Sequence, residues 1–132
     1  MVNSIHVAVG VIVNDRDEVL VAYRPKNKTL GGLWEFPGGK KEQNETIESA
    51  LKREFLEEIG IHLKSYFPIL KIEHDYAEYA VILDVWMITE YANMPVGAEG
   101  QIVEWRSIDS LQFEDFPEAN KKIITLLKLR GA

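Results

Sequence analysis

The residues from Gly39 to Ile61, GKKEQNETIESALKREFLEEIGI, determine how the rest of this chain is interpreted. The Asn44-Glu45-Thr46 segment provides side-chain oxygens that can cap a helix, and Gly60 is a natural helix terminator. We therefore predict a helix that runs to about Ile59, followed by a change of direction.

Carboxylates lie on the predicted apolar face of this helix. At about 100° per residue, Glu54 and Glu58 fall within roughly 40° of the stripe best suited to face a core. That stripe is formed by Ile47, Ala50 and Leu51. Glu57 flanks the stripe, so the three carboxylates can converge on one point. Crowded carboxylates repel one another and resist burial, and a bound divalent cation removes both penalties.

Carboxylate oxygens in a chain that has no cysteine suit Mg²⁺, and Mn²⁺ can take its place. Such ions usually complete their coordination with water and substrate phosphates, so a phosphate-containing ligand is expected. The alternative is a solvated acidic helix face. Arg53 favours the metal site, because it precedes Glu57 by four residues and can orient that carboxylate.

Composition limits the classes of function. A chain of 132 residues with 46% hydrophobic and 27% charged residues is typical of a single globular domain, here residues 1–132. The net charge of -6 and the lack of a Lys/Arg block argue against long nucleic acids as partners. The apolar start MVNSIHVAVGVIV has no basic region and is too short to span a bilayer, so we expect no membrane contact and a cytoplasmic location.

Strand patterns flank the predicted helix on both sides. Residues 4–13 and 18–24 are rich in β-branched residues and are separated by turn formers, which predicts a hairpin. A loop is expected at Pro25–Gly32, then a short strand at Leu33–Phe36 that Pro37-Gly38-Gly39 breaks. Further strands are predicted at 64–73, 79–89 and 102–108, and Pro117 is expected to open a final helix that ends near Arg130.

The central stretch also resembles a known sequence motif. The spacing of its glycines, glutamates and arginine is that of the Nudix box, so the chain resembles the Nudix hydrolase family. The box positions are Gly39, Glu45, Arg53, Glu54, Glu57, Glu58, Gly60 and Ile61. Phe55 stands where the family usually has an aliphatic residue, a packing position. Segments at 8–10, 35–39, 99–101, 104–105 and 115–120 further resemble the MutT branch of the family.

This resemblance implies the fold and the roles of individual residues. The implied fold is an α/β/α sandwich with a mixed β-sheet. The implied metal ligands are Gly39, Glu54, Glu57, Glu58 and Glu99, with Arg53 as a catalytic partner. Either Glu54 or Glu99 would act as general base. The implied nucleotide pocket consists of Arg24, Phe36, Tyr76, Leu83 and Asn120. Tyr76 and Tyr79 stand where a relative in the MutT branch has phenylalanine and arginine.

The MutT resemblance implies Mg²⁺-dependent hydrolysis of 8-oxo-dGTP to 8-oxo-dGMP and pyrophosphate, which removes an oxidised nucleotide from the pool. Asn120 fits this substrate, because an amide offers a donor and an acceptor that match the keto oxygen and protonated N7 of 8-oxoguanine. A small nucleotide is then the expected partner, bound by a monomer rather than a homodimer. Two alternatives remain open. One is another substrate, such as dCTP or CTP, ADP-ribose, a nucleotide sugar or a dinucleoside polyphosphate, and the other is a non-catalytic binding module.

Overall fold

The computed structural model describes residues 4–27 and 31–130, in which four strands precede the first helix and three more strands precede the second. The strands are β1 (Ser4–Val11), β2 (Glu18–Tyr23), β3 (Trp34–Glu35), β4 (Gly38–Lys40), β5 (His62–Asp75), β6 (Ala80–Ala92) and β7 (Val103–Ser107). The helices are α1 (Ile47–Ile59) and α2 (Lys121–Arg130), with 3₁₀ turns at Ile108–Ser110, Phe113–Asp115 and Glu118–Asn120. Residues 28–30 of the predicted loop and both chain ends lie outside the described residues.

The strands form two sheets. The larger sheet has the order β4-β1-β6-β5, in which β1 and β6 are parallel and the other pairs are antiparallel. The smaller sheet has the order β3-β2-β7 and is antiparallel. The mixed sheet is therefore present, and it is built around the central parallel pair.

Alternation along the central strands creates a core on each side of the sheets. Because successive side chains of a strand point to opposite faces, Val9 and Val11 of β1 pack in the core that contains α2, while Ala8 packs with α1. In β6, Met87 lies on the α2 side and Trp86 on the α1 side. This two-sided burial explains why β6 is apolar almost throughout, and it confirms the α/β/α sandwich.

Helix α1 forms where the sequence predicts it. The Thr46 hydroxyl accepts a hydrogen bond from the Ser49 amide at 3.1 Å, so Thr46 is the N-cap. Gly60 ends the helix in the left-handed conformation, with φ of 75°, and its N–H donates to the Leu56 carbonyl. In the described ranges, no helix has the length and apolar character needed to cross a membrane.

Three sequence-based expectations need correction. The predicted hairpin forms only at its turn, where Val13 bridges Val19, because β1 and β2 then continue into different sheets. Pro37-Gly38-Gly39 ends β3 but does not end strand structure, since Gly38–Lys40 pairs with β1. The final helix begins at Lys121 rather than at Pro117, after a 3₁₀ turn.

Candidate active site

Helix α1 carries three of the predicted metal ligands beside its buried face. That face consists of Ala50, Leu51, Phe55 and Ile59. Glu54 and Glu58 are half-buried at its edge, and the side chain of Glu57 is half exposed. Because of the helical period, the carboxylates of Glu54 and Glu58 lie at the border between core and solvent, where they are partly desolvated but still accessible to a ligand.

Arg53 ties these carboxylates to the segment before the helix. Its Nε and Nη2 donate to the two carboxylate oxygens of Glu45 at 2.7 and 2.9 Å, and its Nη1 donates to Glu54 Oε1 at 2.8 Å. Nη2 also donates to the Lys40 carbonyl at 3.0 Å. Arg53 Nη1 also lies 3.5 Å from Oε2 of Glu57, the predicted partner, which is farther than its contacts with Glu45 and Glu54.

These bonds shift the pKa values of both partners. The hydrogen bond from Arg53 lowers the pKa of Glu45 to about 2, and the bond to Glu45 raises the pKa of Arg53. Arg53 therefore remains a cation, and one oxygen of Glu54 is held in a fixed, charge-assisted contact.

Glu58 lies at the centre of a group of carboxylates. Its pKa is raised to about 9, chiefly by burial and in addition by the negative charges of Glu54, Glu35 and Glu99 and a hydrogen bond with Glu54. Burial also raises the pKa of Glu35, although the neighbouring Arg24 opposes that shift. The group has more negative charge than its arginines neutralise, so it attracts either a proton or a cation.

Gly39 places a backbone segment directly against this group. It pairs with Ala8 in the sheet, and a Cβ atom at position 39 would overlap the carboxylate of Glu54. A backbone carbonyl and several carboxylates are the donors that Mg²⁺ and Mn²⁺ prefer, so the residues present fit such an ion. Within the described ranges, no three acidic or imidazole side chains already have the geometry of a metal site.

Glu99 reaches the group from a different part of the chain. It lies on an exposed loop between β6 and β7, yet its charge contributes to the raised pKa of Glu58. The loop is fastened to the end of α1, where the N–H groups of Val96 and Ala98 donate to the carbonyls of Ile59 and Glu58 at 3.0 and 2.9 Å.

A cavity of about 370 Å³ opens next to these carboxylates. Its lining includes Glu35, Gly39 and Lys40 on the side of the acidic group. The five residues predicted for the nucleotide pocket, Arg24, Phe36, Tyr76, Leu83 and Asn120, all line this same cavity. Acidic group and cavity are therefore contiguous, although binding of a nucleotide by these five residues stays a prediction.

Asn120 stands out within the cavity. At 9% exposure it is the one polar or charged residue counted as buried in the described part of the chain. Burying an amide is unfavourable unless it gains hydrogen bonds. The predicted recognition role of Asn120 would supply such bonds from a ligand, and it stays a prediction. Phe36, which lines the cavity, stacks on Phe116 with ring centres 5.3 Å apart.

Two tyrosines occupy the turn between β5 and β6 at the cavity. The Tyr76 and Tyr79 rings lie 5.4 Å apart, and the Tyr76 N–H donates to the Tyr79 carbonyl at 2.8 Å. The Tyr76 hydroxyl accepts a hydrogen bond from the N–H of Ala119 at 3.1 Å, which fastens this turn to the residue before Asn120. On the opposite side, Arg24 Nη1 lies 3.3 Å from Glu35 Oε1.

Sequence reasoning missed two residues of this region. Glu35 belongs to a predicted short strand and to a segment that resembles the MutT branch, but the sequence predicts no role for it, although a carboxylate directly before Phe36 is a signal. Gln101 belongs to a segment that resembles the MutT branch, but the sequence predicts no role for it. Its side chain contacts both the Glu99 loop and α1, which depends on tertiary structure that no local pattern reveals.

The chain is similar to known proteins over most of its length. The NUDIX domain family matches residues 8–126. The chain is 36% identical over 125 residues to the 8-oxo-dGTP diphosphatase of Escherichia coli (strain K12), covering 95% of this chain and 97% of that protein. It is 30% identical over 125 residues to the CTP pyrophosphohydrolase of the same strain, covering 94% and 93%.

The fold has close counterparts among solved structures. One comes from work on MutT of Aliivibrio salmonicida and Vibrio cholerae. It has a TM-score of 0.82 and 35% identity, and the match covers 97% of this chain and 99% of that one. Sequence and fold therefore agree over nearly the whole described chain.

Proposed function

The chain belongs to the NUDIX domain family, and we propose that it hydrolyses 8-oxo-dGTP to 8-oxo-dGMP and pyrophosphate in a divalent-metal-dependent reaction. It is a hydrolase of phosphoric anhydride bonds, as its relative named 8-oxo-dGTP diphosphatase is. The observation that carries the proposal is the continuity of the acidic group with the cavity that Asn120 lines. A nucleotide base in the cavity would extend its phosphates towards Glu54 and Glu58.

Mg²⁺, or Mn²⁺ in its place, would be held by the Gly39 carbonyl and by glutamate oxygens. Those glutamates are Glu54, Glu57, Glu58 and Glu99. When bound, the ion neutralises phosphate charge and makes water more acidic. The raised pKa of Glu58 supports this assignment, because a buried carboxylate among others needs a cation to stay ionised.

The protein's own residues position the reacting groups. Arg53 holds Glu54 Oε1, so the second oxygen of that carboxylate is available to a ligand or to water. The proton of the attacking water passes to Glu54 or to Glu99, which are the two candidate bases. Replacing each by glutamine distinguishes them, since loss of the base removes the acidic limb of the pH–rate profile, whereas loss of an ion ligand raises the Mg²⁺ requirement.

Asn120 supports the choice of an oxidised guanine. Its amide can donate to the keto oxygen and accept from the protonated N7 of 8-oxoguanine, whereas guanine presents acceptors at both positions. A site built for this pattern leaves a buried group unpaired with ordinary dGTP, which costs about 1–3 kcal/mol. Phe36 offers an aromatic face for the base beside it.

Pyrophosphate release with one Mg²⁺ concentration and a substrate panel tests the proposal. The panel contains 8-oxo-dGTP, dGTP, dCTP, CTP and ADP-ribose, and 8-oxo-dGTP is expected to have the highest kcat/KM. Glu54→Gln and Glu57→Gln should each reduce turnover by at least about 10²-fold, because each removes a charge from the reacting centre. Near-normal rates in both variants would contradict the metal-dependent mechanism.

A pyrimidine nucleotide is the second candidate substrate. It is favoured by the similarity to a CTP pyrophosphohydrolase over 94% of this chain and by Tyr79, which departs from the arginine of the MutT pattern. A kcat/KM for CTP or dCTP above that for 8-oxo-dGTP would establish this alternative, and preference for ADP-ribose, a nucleotide sugar or a dinucleoside polyphosphate would overturn both. Tight nucleotide binding without turnover would indicate a binding module.

Removal of 8-oxo-dGTP from the cytoplasmic nucleotide pool by a monomeric enzyme is the proposed cellular role. Expression of the chain in bacteria that lack their own 8-oxo-dGTP diphosphatase should lower the spontaneous mutation rate. Glu57→Gln expressed at the same level should leave the rate high. An equal effect of both proteins would contradict a role that depends on hydrolysis.

A further inference from the structure

The side-chain amide of Gln101 connects the loop that carries Glu99 to the end of α1. Its Nε2 donates to the Glu58 carbonyl at 2.9 Å, and its Oε1 accepts from the Glu99 N–H at 3.0 Å. We propose that Gln101 is a positioning residue that fixes Glu99 relative to Glu58 for the reaction. This inference rests on the proposed function only in assigning Glu99 to the reacting centre.

The end of a helix creates the acceptor that Gln101 uses. The last carbonyls of an α-helix lack partners within the helix, and a buried end needs other donors. The Glu58 carbonyl accepts from the Ala98 N–H as well as from Gln101 Nε2, and the Ile59 carbonyl accepts from Val96. The loop therefore occupies the place of a further helical turn, and Gln101 provides a side-chain donor to the Glu58 carbonyl.

Among the described residues, the N–H of Glu99 bonds to a side chain and not to a backbone carbonyl. The segment from Ala98 to Gly100 is exposed to solvent, so packing restrains it little. The bonds from Val96 and Ala98 act before Glu99 in the chain, whereas the N–H of Glu99 itself is held by Gln101 Oε1. Without the side-chain amide of Gln101, Glu99 is expected to sample several positions on a short exposed turn.

The turn is shaped so that Gln101 can fold back on it. Gly97 lies so close to the Gln101 carbonyl that a Cβ atom would overlap it. Gly100 adopts a φ of 83°, which favours glycine, and its N–H donates to the Gly97 carbonyl at 3.0 Å. These two glycines close the turn and bring the amide of Gln101 within reach of both partners.

The expected consequence is a loss of turnover rather than of nucleotide binding. Misplacement of a reacting group by about 1 Å can cost up to roughly 10²-fold in rate, so Gln101→Ala should lower kcat by roughly 10-fold to 100-fold. KM should change less than about twofold, because other elements line the cavity. Gln112→Ala is the matched control, since Gln112 is exposed and its side chain donates to the Ser110 carbonyl in the same loop.

A double-mutant cycle tests whether Gln101 acts through Glu99. Gln101→Ala is compared with and without Glu99→Gln, using the nucleotide that the wild-type protein hydrolyses fastest. If Gln101 positions Glu99, its replacement should cost less than about twofold once Glu99 is already replaced. An equal loss of kcat in both backgrounds, or unchanged kcat in the single variant, would overturn the proposal.

Hydrogen–deuterium exchange provides a readout that does not require activity. In Gln101→Ala without ligand, amides 98–100 should exchange at least about tenfold faster, while those of α1 residues 51–57 remain unchanged. Unchanged exchange at 98–100, or faster exchange throughout α1, would contradict the proposal that Gln101 fixes the position of Glu99. If the wild-type protein hydrolyses no nucleotide, the proposed function fails, and this measurement still decides whether Gln101 holds the loop.

Discussion

Some glutamates at this site are paired with an arginine, whereas Glu58 lies among other carboxylates. Arg53 neutralises Glu45 through two hydrogen bonds and contacts Glu54 through one, and Arg24 lies beside Glu35. The pKa of Glu58 rises to about 9, because the residue is largely buried and other carboxylates lie near it. The arginines therefore set the orientation of the cluster and leave its centre in need of a cation.

The hydroxyl of Tyr76 should contribute to base selectivity. It accepts from the Ala119 N–H at 3.1 Å, and removing it in Tyr76→Phe leaves that amide unpaired beside Asn120. A lost hydrogen bond of about 1 kcal/mol should reduce the kcat/KM ratio of 8-oxo-dGTP to dGTP by roughly fivefold. Tyr23→Phe removes a hydroxyl outside the cavity and should leave the ratio unchanged. Equal ratios in wild type and Tyr76→Phe would exclude this role.

The Glu45–Arg53 bond should stabilise the protein in a pH-dependent way. The pKa of Glu45 in the folded state is about 2, below its ordinary value of 4.5, because Arg53 binds the ionised form. Its stabilising contribution is therefore complete above pH 4.5 and is lost as the pH falls towards 2. The difference in unfolding free energy between wild type and Glu45→Gln, measured in urea, should shrink over that range. A difference that is independent of pH would contradict this assignment.

Two short strands, a helix and a loop meet at the site. The short β3 and β4 strands flank Pro37 and present Glu35 and Gly39, and α1 presents its glutamates. The loop after β6 completes the end of α1. Helix and sheet must therefore lie at a fixed separation, and that separation is set by packing between α1 and β1.

Phe55 and Gly10 set this separation together. A Cβ atom at Gly10 would overlap the Phe55 ring, so the phenyl group uses the space that glycine leaves. Gly10→Ala should destabilise the fold by about 1–3 kcal/mol through overpacking. Phe55→Leu should cost about 1 kcal/mol by leaving a small cavity.

The double variant should cost less than the sum of the two, because each change relieves the other. Urea unfolding of all four proteins measures this coupling. Strict additivity would show that the ring does not depend on the glycine. Such coupling also accounts for an aromatic residue at a position where the Nudix pattern has an aliphatic one.

Over the whole molecule, the features that the sequence predicts correctly are those that depend on residues close together in the chain. The caps, the helix and the convergence of its glutamates follow from the period of one segment. The partner of β1 does not, because parallel pairing with β6 is chosen by contacts about 75 residues away in sequence, and the predicted hairpin therefore failed beyond its turn. The sequence predicts that Gly38 and Gly39 break the strand, yet both lie in β4. Gly38 allows β4 to approach β1 closely, and Gly39 leaves room for the carboxylate of Glu54. The cavity residues were available only from the family resemblance, since they come from distant parts of the chain.

The charge of the acidic group should couple the stability of the whole molecule to pH and to Mg²⁺. The pKa of Glu58 in the folded state, about 9, lies above its ordinary value of 4.5. The folded protein therefore binds a proton at Glu58 more tightly than the unfolded chain does. The stability of the fold is highest with respect to this group below pH 4.5, and this contribution is lost as the pH rises through 9.

Thermal unfolding in EDTA and in MgCl₂ at constant ionic strength measures this coupling. Without metal, the Tm should fall as the pH rises from 5 to about 9, as ionised Glu58 becomes unfavourable. MgCl₂ should raise the Tm more at pH 9 than at pH 6, because the ion competes with the proton for the same carboxylate. Glu58→Gln should reduce both effects, whereas Glu114→Gln, at an exposed position, should preserve them. A Tm increase with MgCl₂ that is equal at both pH values would show that the cation does not bind at Glu58.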